Sequence, residues 1–193
     1  MPSNRRKHFG AWISRPESIV GVCAVVVSVV AVAVSAYEAR IQRQWQRAAL
    51  WPYVQLSRSY YLAGPDGAQE WRLTLNAENV GVGPARVRDF RVTVDGKPQR
   101  TWGAAMQALL GTSGEFRYGQ SAIVGTIVPP QKTVQMFQYS VQPEAERLHA
   151  AMDRLDFEAC FCSVFDECWR TSFRKTAAQD VGHCATGADS FTE

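Results

Sequence analysis

The hydrophobic and polar positions follow three different patterns along the chain. Residues 18–37, SIVGVCAVVVSVVAVAVSAY, form an uncharged apolar run between Glu17 and Glu38. Twenty residues at about 1.5 Å each match the roughly 30 Å hydrocarbon core of a bilayer. The run therefore predicts a transmembrane helix, which we interpret as an uncleaved signal anchor. A cleaved secretory signal is the alternative, since Val34–Ala36 offers small residues, but the run is longer than the apolar core of such a signal.

A helical period continues through residues 38–51 and predicts a juxtamembrane stalk. Three arginines recur at helical spacing and form a juxtamembrane basic face: Arg40, Arg43 and Arg47. Three interpretations of this segment are open. It is a solvated connector, its basic face contacts anionic lipid headgroups, or the stalk dimerises through Trp45. The helix is expected to end at Trp51-Pro52, because proline disfavours helical geometry in the residue before it.

From Tyr53 onward the hydrophobic period changes to two. In EWRLTLNAEN, residues 70–79, every second residue is apolar, which predicts a strand with one buried face and one wet face. Similar runs predict about seven short antiparallel strands, including one over residues 120–128. Helical spacing predicts two short helices, one within residues 101–111 and one that begins at Pro143.

These patterns predict a mainly β protein: an N-terminal transmembrane helix followed by an immunoglobulin-like antiparallel β-sandwich with two short inserted helices. The predicted segments are a cytoplasmic N-terminal segment at 1–17, the transmembrane helix at 18–37, the stalk at 38–51, the β-sandwich domain at 52–176 and a flexible tail at 177–193.

The stretch NVGVGPARV, Asn79 to Val87, carries two closely spaced glycines that could belong to a phosphate-binding loop. Such a loop must lead from a strand into a helix, whereas the residues that follow here alternate as a strand. We therefore interpret it as a structural turn in which the glycines supply positive φ and proline fixes the exit. Its members are Asn79, Gly81, Gly83 and Pro84. A parity switch between Val87 and Phe90 predicts a β-bulge near Arg88–Asp89.

Four cysteines lie in the folded part and Cys23 lies within the apolar run. The four are Cys160, Cys162, Cys168 and Cys184. A hairpin would place Cys162 opposite Cys168, close enough for a disulfide, which leaves Cys160 to pair with Cys184. Four cysteines allow three pairings, and the spacing alone does not choose among them. Free structural thiols and a zinc site with His183 as a substitute ligand are the alternatives.

Charge and motif content argue against two function classes. The formal charge of +3 comes from the basic residues before the apolar run, because the remainder is balanced. Nucleic-acid binding is therefore not expected. The three histidines are scattered, and the chain lacks the nucleophile and metal motifs GxSxG, HExxH and SxxK. We accordingly expect a non-enzymatic protein without cofactors, although a hydrolase site assembled by the fold around His149 or His183 is an alternative.

Three stretches together resemble a family of uncharacterised bacterial single-pass membrane proteins: EARIQRQWQRAALWPYV, NVGVGPARV with VDGKP, and CFCSVFDECW. Members share a membrane helix, a Gln/Arg-rich stalk that enters the fold at a Trp-Pro or Arg-Pro pair, and an NxGxGPA turn in a β-rich domain. The resemblance implies this architecture for the present chain. It implies no activity, ligand or catalytic residue.

The positive-inside rule and the cysteines both bear on location. Four basic residues precede the apolar run and three follow it, which favours a cytoplasmic N-terminus. An even number of cysteines late in a domain suits disulfides and an oxidising compartment. We therefore expect a single-pass protein of the bacterial inner (plasma) membrane whose domain is periplasmic or extracellular. It would act as an interaction or assembly module, with the lipid bilayer and an unidentified protein as partners and possible homo-oligomers through helix and stalk. The alternative is a cytoplasmic-facing accessory or sensor protein with reduced or zinc-binding cysteines.

Overall fold

The computed structural model describes residues 16–62, 70–175 and 177–193, and the chain divides into two compact units at residues 48 and 49. Helix α1, Pro16–Ala49, carries both the apolar run and the predicted stalk as one element of 34 residues. Its most apolar window has a mean hydropathy of 2.8 with none of it buried, so this helix could span a membrane. The helix ends two residues before the predicted end of the stalk. Most of the predicted segment 1–17 lies outside the described residues.

The second unit is a β-rich domain with two antiparallel sheets. The strands, in chain order, are β1 (Val54–Leu62), β2 (Trp71–Asn79), β3 (Ala85–Val94), β4 (Lys97–Gln99), β5 (Gly119–Gln120), β6 (Ile127–Val128), β7 (Lys132–Tyr139), β8 (Leu155–Cys162), β9 (Cys168–Ser172) and β10 (Gln179–Val181). One sheet has the order β1-β2-β7-β5, and the other has the order β10-β9-β8-β3-β4, with β6 also paired to β3. The mainly β prediction is confirmed.

Two short helices are inserted between the strands. Helix α2, Trp102–Leu110, begins where the Thr101 side chain accepts a hydrogen bond from the Ala104 amide, and it ends at Gly111 in the left-handed conformation. Helix α3, Glu144–Ala151, follows Pro143 and continues into a 3₁₀ turn at Met152–Arg154. Both helices occur where the helical spacing predicted them.

The two sheets share one hydrophobic core. Leu73 and Leu75 of β2 are buried on one sheet, and Phe90 and Phe157 of the other sheet are equally buried. This packing follows from the alternation in the strands, since the inward residues of β2 that precede Asn79 are apolar. Burial of these apolar side chains favours the folded domain.

Two details of the strand predictions have different outcomes. The bulge is confirmed, because the β3–β8 register shifts between Val87 and Asp89. The strand predicted over residues 120–128 is wrong: only the ends of that stretch pair, in β5 and β6, and Ile123 is buried between them. Ile123 fills the core from a loop that has a turn at Gly125, where φ is +79°.

The segment predicted to be a flexible tail packs against the domain. Phe191 is buried in the core, where its ring meets those of Phe90 at 5.5 Å and Trp102 at 4.9 Å. Its amide donates to the Phe90 carbonyl over 2.8 Å. The Glu193 carboxylate accepts the Trp102 amide over 2.7 Å, at the start of α2. A negative charge is favourable at a helix N-terminus, so the polar tail both fills the core and caps a helix.

Candidate interaction surface at the junction end

One end of the β-rich domain collects most of the residues that the sequence analysis singled out. We call it the junction end, because the chain enters the domain there after α1. It is built from four segments: residues 50–53, the β2–β3 connection at 80–84, the β6–β7 connection at 129–131 and the β8–β9 loop at 163–167.

Asn79 holds these segments together from within. Its side chain is completely buried, and its Oδ1 accepts the amides of Tyr53 at 3.2 Å and Gly81 at 3.1 Å. Its Nδ2 donates to the carbonyls of Gly83 at 2.8 Å and Val128 at 2.9 Å. One amide group thus satisfies four backbone groups from three chain segments, which buried backbone requires. The segment from Asn79 to Pro84 is a structural connection that crosses from one sheet to the other.

The reason proposed for the two glycines is wrong. Gly81 and Gly83 do not belong to the glycines with positive φ, which are Gly96, Gly111 and Gly125 among the described residues. They are required because the incoming backbone is too close for a side chain. A Cβ on Gly81 would lie 2.3 Å from the Tyr53 nitrogen, and one on Gly83 would lie 1.8 Å from the Leu50 oxygen.

The four cysteines of the domain form one cluster at this end. Cys162 and Cys168 face each other across the β8–β9 hairpin with sulfurs 2.13 Å apart, and Cys160 reaches Cys184 at 2.07 Å. This is the pairing that the hairpin spacing favoured. The sulfurs of Cys162 and Cys184, which belong to different pairs, are 3.7 Å apart. In reduced protein, the sulfurs of Cys162, Cys168 and Cys184 are the ones close enough together to hold a soft metal ion.

An open cavity of about 450 Å³ leads to the cysteine cluster. Beside the three sulfurs its lining includes Arg88, Asp166 and His183. The Asp166 carboxylate is paired with the Arg86 guanidinium at 2.5 Å and lies 3.9 Å from that of Arg88. Within the lining itself, the charges of Arg88 and Asp166 are opposite in sign.

Exposed apolar side chains also concentrate at the junction end. Six of them come from the four segments and from β6: Trp51, Val80, Val82, Ile127, Val164 and Phe165. Their exposed fractions range from 39% for Val80 to 60% for Val82. Hydrogen bonds link the segments that carry them. The Val82 amide donates to the Trp51 carbonyl. Arg86, which pairs with Ile127 across β3 and β6, donates from its side chain to the Ser163 carbonyl. These side chains make the junction end the candidate contact surface of the domain.

The two histidines in the described part of the chain lie in different surroundings. His149 on α3 packs between the rings of Tyr60 and Trp71, with centroids 4.2 and 4.4 Å away. His183 lines the cavity of the cysteine cluster instead. Ring packing explains His149 as a structural residue, and the hydrolase alternative gains no geometric support from it.

The stalk arginines lie in the other unit, on α1. Arg40, Arg43 and Arg47 are exposed on α1, and Trp45 is 72% exposed. Their spacing keeps the three guanidinium groups on one side of the helix. A helix with such a basic side could contact anionic headgroups, as predicted.

A charged cluster at the opposite end ties a turn to a helix. Arg154 donates to both carboxylate oxygens of Asp95, with a closest distance of 2.6 Å, and to the carbonyls of Ala108 and Leu109 in the last turn of α2. The hydrogen bond from Arg154 holds the pKa of the Asp95 carboxyl below its usual value. The sequence analysis did not find this pair, because its members are 59 residues apart.

Three functional details were missed by sequence reasoning. These are the apolar junction end, the buried Asp89 carboxylate that accepts from Ser190 at 2.6 Å, and the docking of Phe191. Phe191 did give a signal, since it is the one aromatic residue in a polar tail. The exposed valines gave none, because an apolar residue in a loop has no period.

No protein-family model matches the chain, and no curated protein matches it.

Proposed function

We propose that the protein is a membrane-anchored β-sandwich that acts as a non-catalytic interaction or assembly module of the bacterial cell envelope, with its domain outside the cytoplasm. The observation that carries the proposal is the junction end, where exposed apolar side chains from separate connections lie at the same end of the domain. Helix α1 supplies the anchor. The two disulfide-distance pairs support an oxidising compartment.

An immunoglobulin-like arrangement is part of this proposal, and strand order supports it. The order β1-β2-β7 on one sheet and β3-β8-β9 on the other corresponds to A-B-E and C-F-G of an immunoglobulin-like sandwich. The short strands β5 and β4 then occupy the positions of D and of an added strand beside C. In that scheme the junction end carries the B–C and F–G connections, which are the contact loops of many such domains.

The partner of the junction end is proposed to be a protein of the same membrane. A photo-crosslinking amino acid at Val82 or Phe165 of the full-length protein, irradiated in intact cells, should give a protein adduct of defined mass. The same amino acid at Val141 is the matched control, because Val141 is 45% exposed but follows β7 at the opposite end. An Ile127→Glu substitution should abolish the adduct. Equal adducts at Val82 and Val141, or none, would contradict the proposal.

The alternative function is a cytoplasmic-facing accessory or sensor protein with reduced cysteines. The observation that favours it is the group of three sulfurs that could hold a metal ion. Labelling of intact cells and spheroplasts with a membrane-impermeant maleimide, with and without prior reduction, separates the two. We expect the four domain cysteines to label from outside and only after reduction. Labelling that requires lysis but no reductant would instead support the alternative.

A further inference from the structure

The two cysteine pairs are arranged so that their sulfurs can change partners. Cys162 is bonded to Cys168, yet its Sγ is only 3.7 Å from the Sγ of Cys184 in the neighbouring pair. This is van der Waals contact between two sulfurs, so a Cys162 thiolate would need no backbone rearrangement to reach Cys184. Disulfide exchange requires such an approach, because a thiolate must attack a sulfur of the second disulfide.

Access to the cluster is one-sided. The cavity at the junction end is lined by Cys162, Cys168 and Cys184 but not by Cys160; Cys160 and Cys162 are each 2% exposed and Cys168 is 5% exposed. Cys184 is half-buried and lies on a segment outside the regular strands. An incoming thiolate would therefore meet the outer sulfurs first. Arg88 lines the same cavity, with a side chain that is 49% exposed and lies 3.9 Å from the Asp166 carboxylate.

We propose that this cluster is a thiol–disulfide exchange site that oxidises a dithiol, either a protein or a small molecule, while the domain keeps one disulfide. The inference goes beyond the proposed function, since it assigns an activity to the cysteines. It holds for either orientation of the domain, provided that the four sulfurs are oxidised.

The sulfur positions allow an exchange in three steps. One thiolate of the dithiol attacks Cys168; a mixed disulfide forms, the Cys162–Cys168 bond breaks, and Cys162 leaves as a thiolate with the electron pair. Cys162 then attacks Cys184; a Cys162–Cys184 bond forms, the Cys160–Cys184 bond breaks, and Cys160 takes up a proton. The second thiolate of the dithiol attacks the mixed disulfide, which releases the oxidised dithiol and leaves Cys168 as a thiol. Two electrons and two protons pass to the domain.

The product of this reaction retains a link between β8 and the segment that carries Cys184. Cys162 replaces Cys160 as the residue on β8 to which that segment is bonded. Because the segment after Cys184 leads to the buried Phe191, the domain can accept two electrons and keep its tail attached.

The test is partial reduction of the purified full-length protein in a Cys23→Ser background, which removes the free cysteine. The protein is treated with less than one equivalent of dithiothreitol, quenched with acid, alkylated and mapped by mass spectrometry. We expect the main two-electron-reduced species to carry alkyl groups on Cys160 and Cys168 and an intact Cys162–Cys184 bond. Alkylation of a native pair, Cys162 with Cys168 or Cys160 with Cys184, in the main species would overturn the proposal.

Two single substitutions provide a convergent check. Cys168→Ser frees Cys162, and Cys160→Ser frees Cys184, so exchange should give the same Cys162–Cys184 bond in both variants. Retention of Cys160–Cys184 in the first variant and of Cys162–Cys168 in the second would also overturn the proposal. Cys184→Ser is the matched control, because it removes the acceptor sulfur and should leave Cys162–Cys168 as the bond found before reduction.

Discussion

The side chain of Asn79 satisfies four backbone groups that would otherwise be buried without partners. Its amide is the group that matches this environment, because it offers an acceptor toward two amides and donors toward two carbonyls. An aspartate of the same shape would keep the acceptors and lose the donors. The identity of this residue is therefore determined by hydrogen bonding, and its size alone would not explain it.

We expect Asn79→Asp to lower the free energy of unfolding by about 3 kcal/mol, because a buried carboxylate would face the carbonyls of Gly83 and Val128. Chemical denaturation of the full-length protein in detergent, followed by tryptophan fluorescence, measures the change. Asn76→Asp is the matched control, since Asn76 lies on the half-exposed face of the same strand. Its effect should stay within about 0.5 kcal/mol. Similar losses in the two variants would contradict the role assigned to Asn79.

At the scale of the elements, the β2–β3 connection depends on contact between two backbones. Residues 50–53 cross directly over Gly81 and Gly83, and the Trp51 carbonyl accepts from the amides of Val82 and Gly83. Neither backbone can move away without the loss of those hydrogen bonds. The glycines thus fix where the chain enters the domain.

We expect Gly83→Ala to destabilise the domain by at least about 3 kcal/mol, because the new Cβ would overlap the Leu50 carbonyl. Gly114→Ala is the control, since its Cβ would meet nothing within 4 Å and its φ is not positive. That control should change the midpoint of thermal unfolding little. A Gly83→Ala protein that unfolds like the control would show that the two backbones are not in contact.

A second element-scale link joins the β3–β4 turn to α2 through Asp95 and Arg154. The pKa of Asp95 is lowered in the folded protein, so its contribution to stability is complete above the pKa of the unfolded chain, about 4, and is lost as the pH falls through the lower folded value. We expect Asp95→Asn to flatten the loss of stability below about pH 4. Arg154→Gln should flatten it equally, and denaturation curves between neutral and acidic pH measure both. An unchanged acid slope in either variant would contradict the link.

At the scale of the whole molecule, the chain closes on itself through residues 184–193. Cys184 is joined to Cys160 of β8 by a disulfide, and the Ser190 hydroxyl donates a hydrogen bond to Asp89 at the bulge. The Phe191 ring packs against the rings of Phe90 and Trp102. The bulge contributes directly, because it places Asp89 and Phe90 next to each other on the buried side of β3. A polar segment is therefore held by a few specific contacts.

We expect Phe191→Ala to cost about 3 kcal/mol of unfolding free energy, since it removes a buried aromatic side chain. Phe165→Ala is the matched control, because the same ring is removed from a position that is 43% exposed. Limited proteolysis should also cut after residue 184 faster in Phe191→Ala than in the control. Equal stability and equal cleavage would mean that the tail is not part of the core.

Much of this architecture could be predicted from sequence because the responsible forces act over short ranges. Local hydrophobic patterns reflect which positions are buried and which are exposed to water. Examples are the length of the apolar run, the two-residue period of β2 and the helical spacing in α2. The bulge was visible in the same way, as a change of parity within one strand. The hairpin that brings Cys162 and Cys168 together is equally local, because the two cysteines are six residues apart in the sequence.

The amino-acid sequence by itself determined the apolar helix, the β-rich domain, the two inserted helices and the bulge, because each depends on neighbours within a turn or a strand. Only the tertiary structure decided why Gly81 and Gly83 are glycines and which backbone groups the Asn79 side chain binds. It also decided where Phe191 lies and which loops with apolar side chains meet at the junction end. Those features depend on segments that are distant in the sequence and meet only after the sheets pack. Contact between such segments leaves no period in the sequence, so physical patterning cannot reveal it in advance.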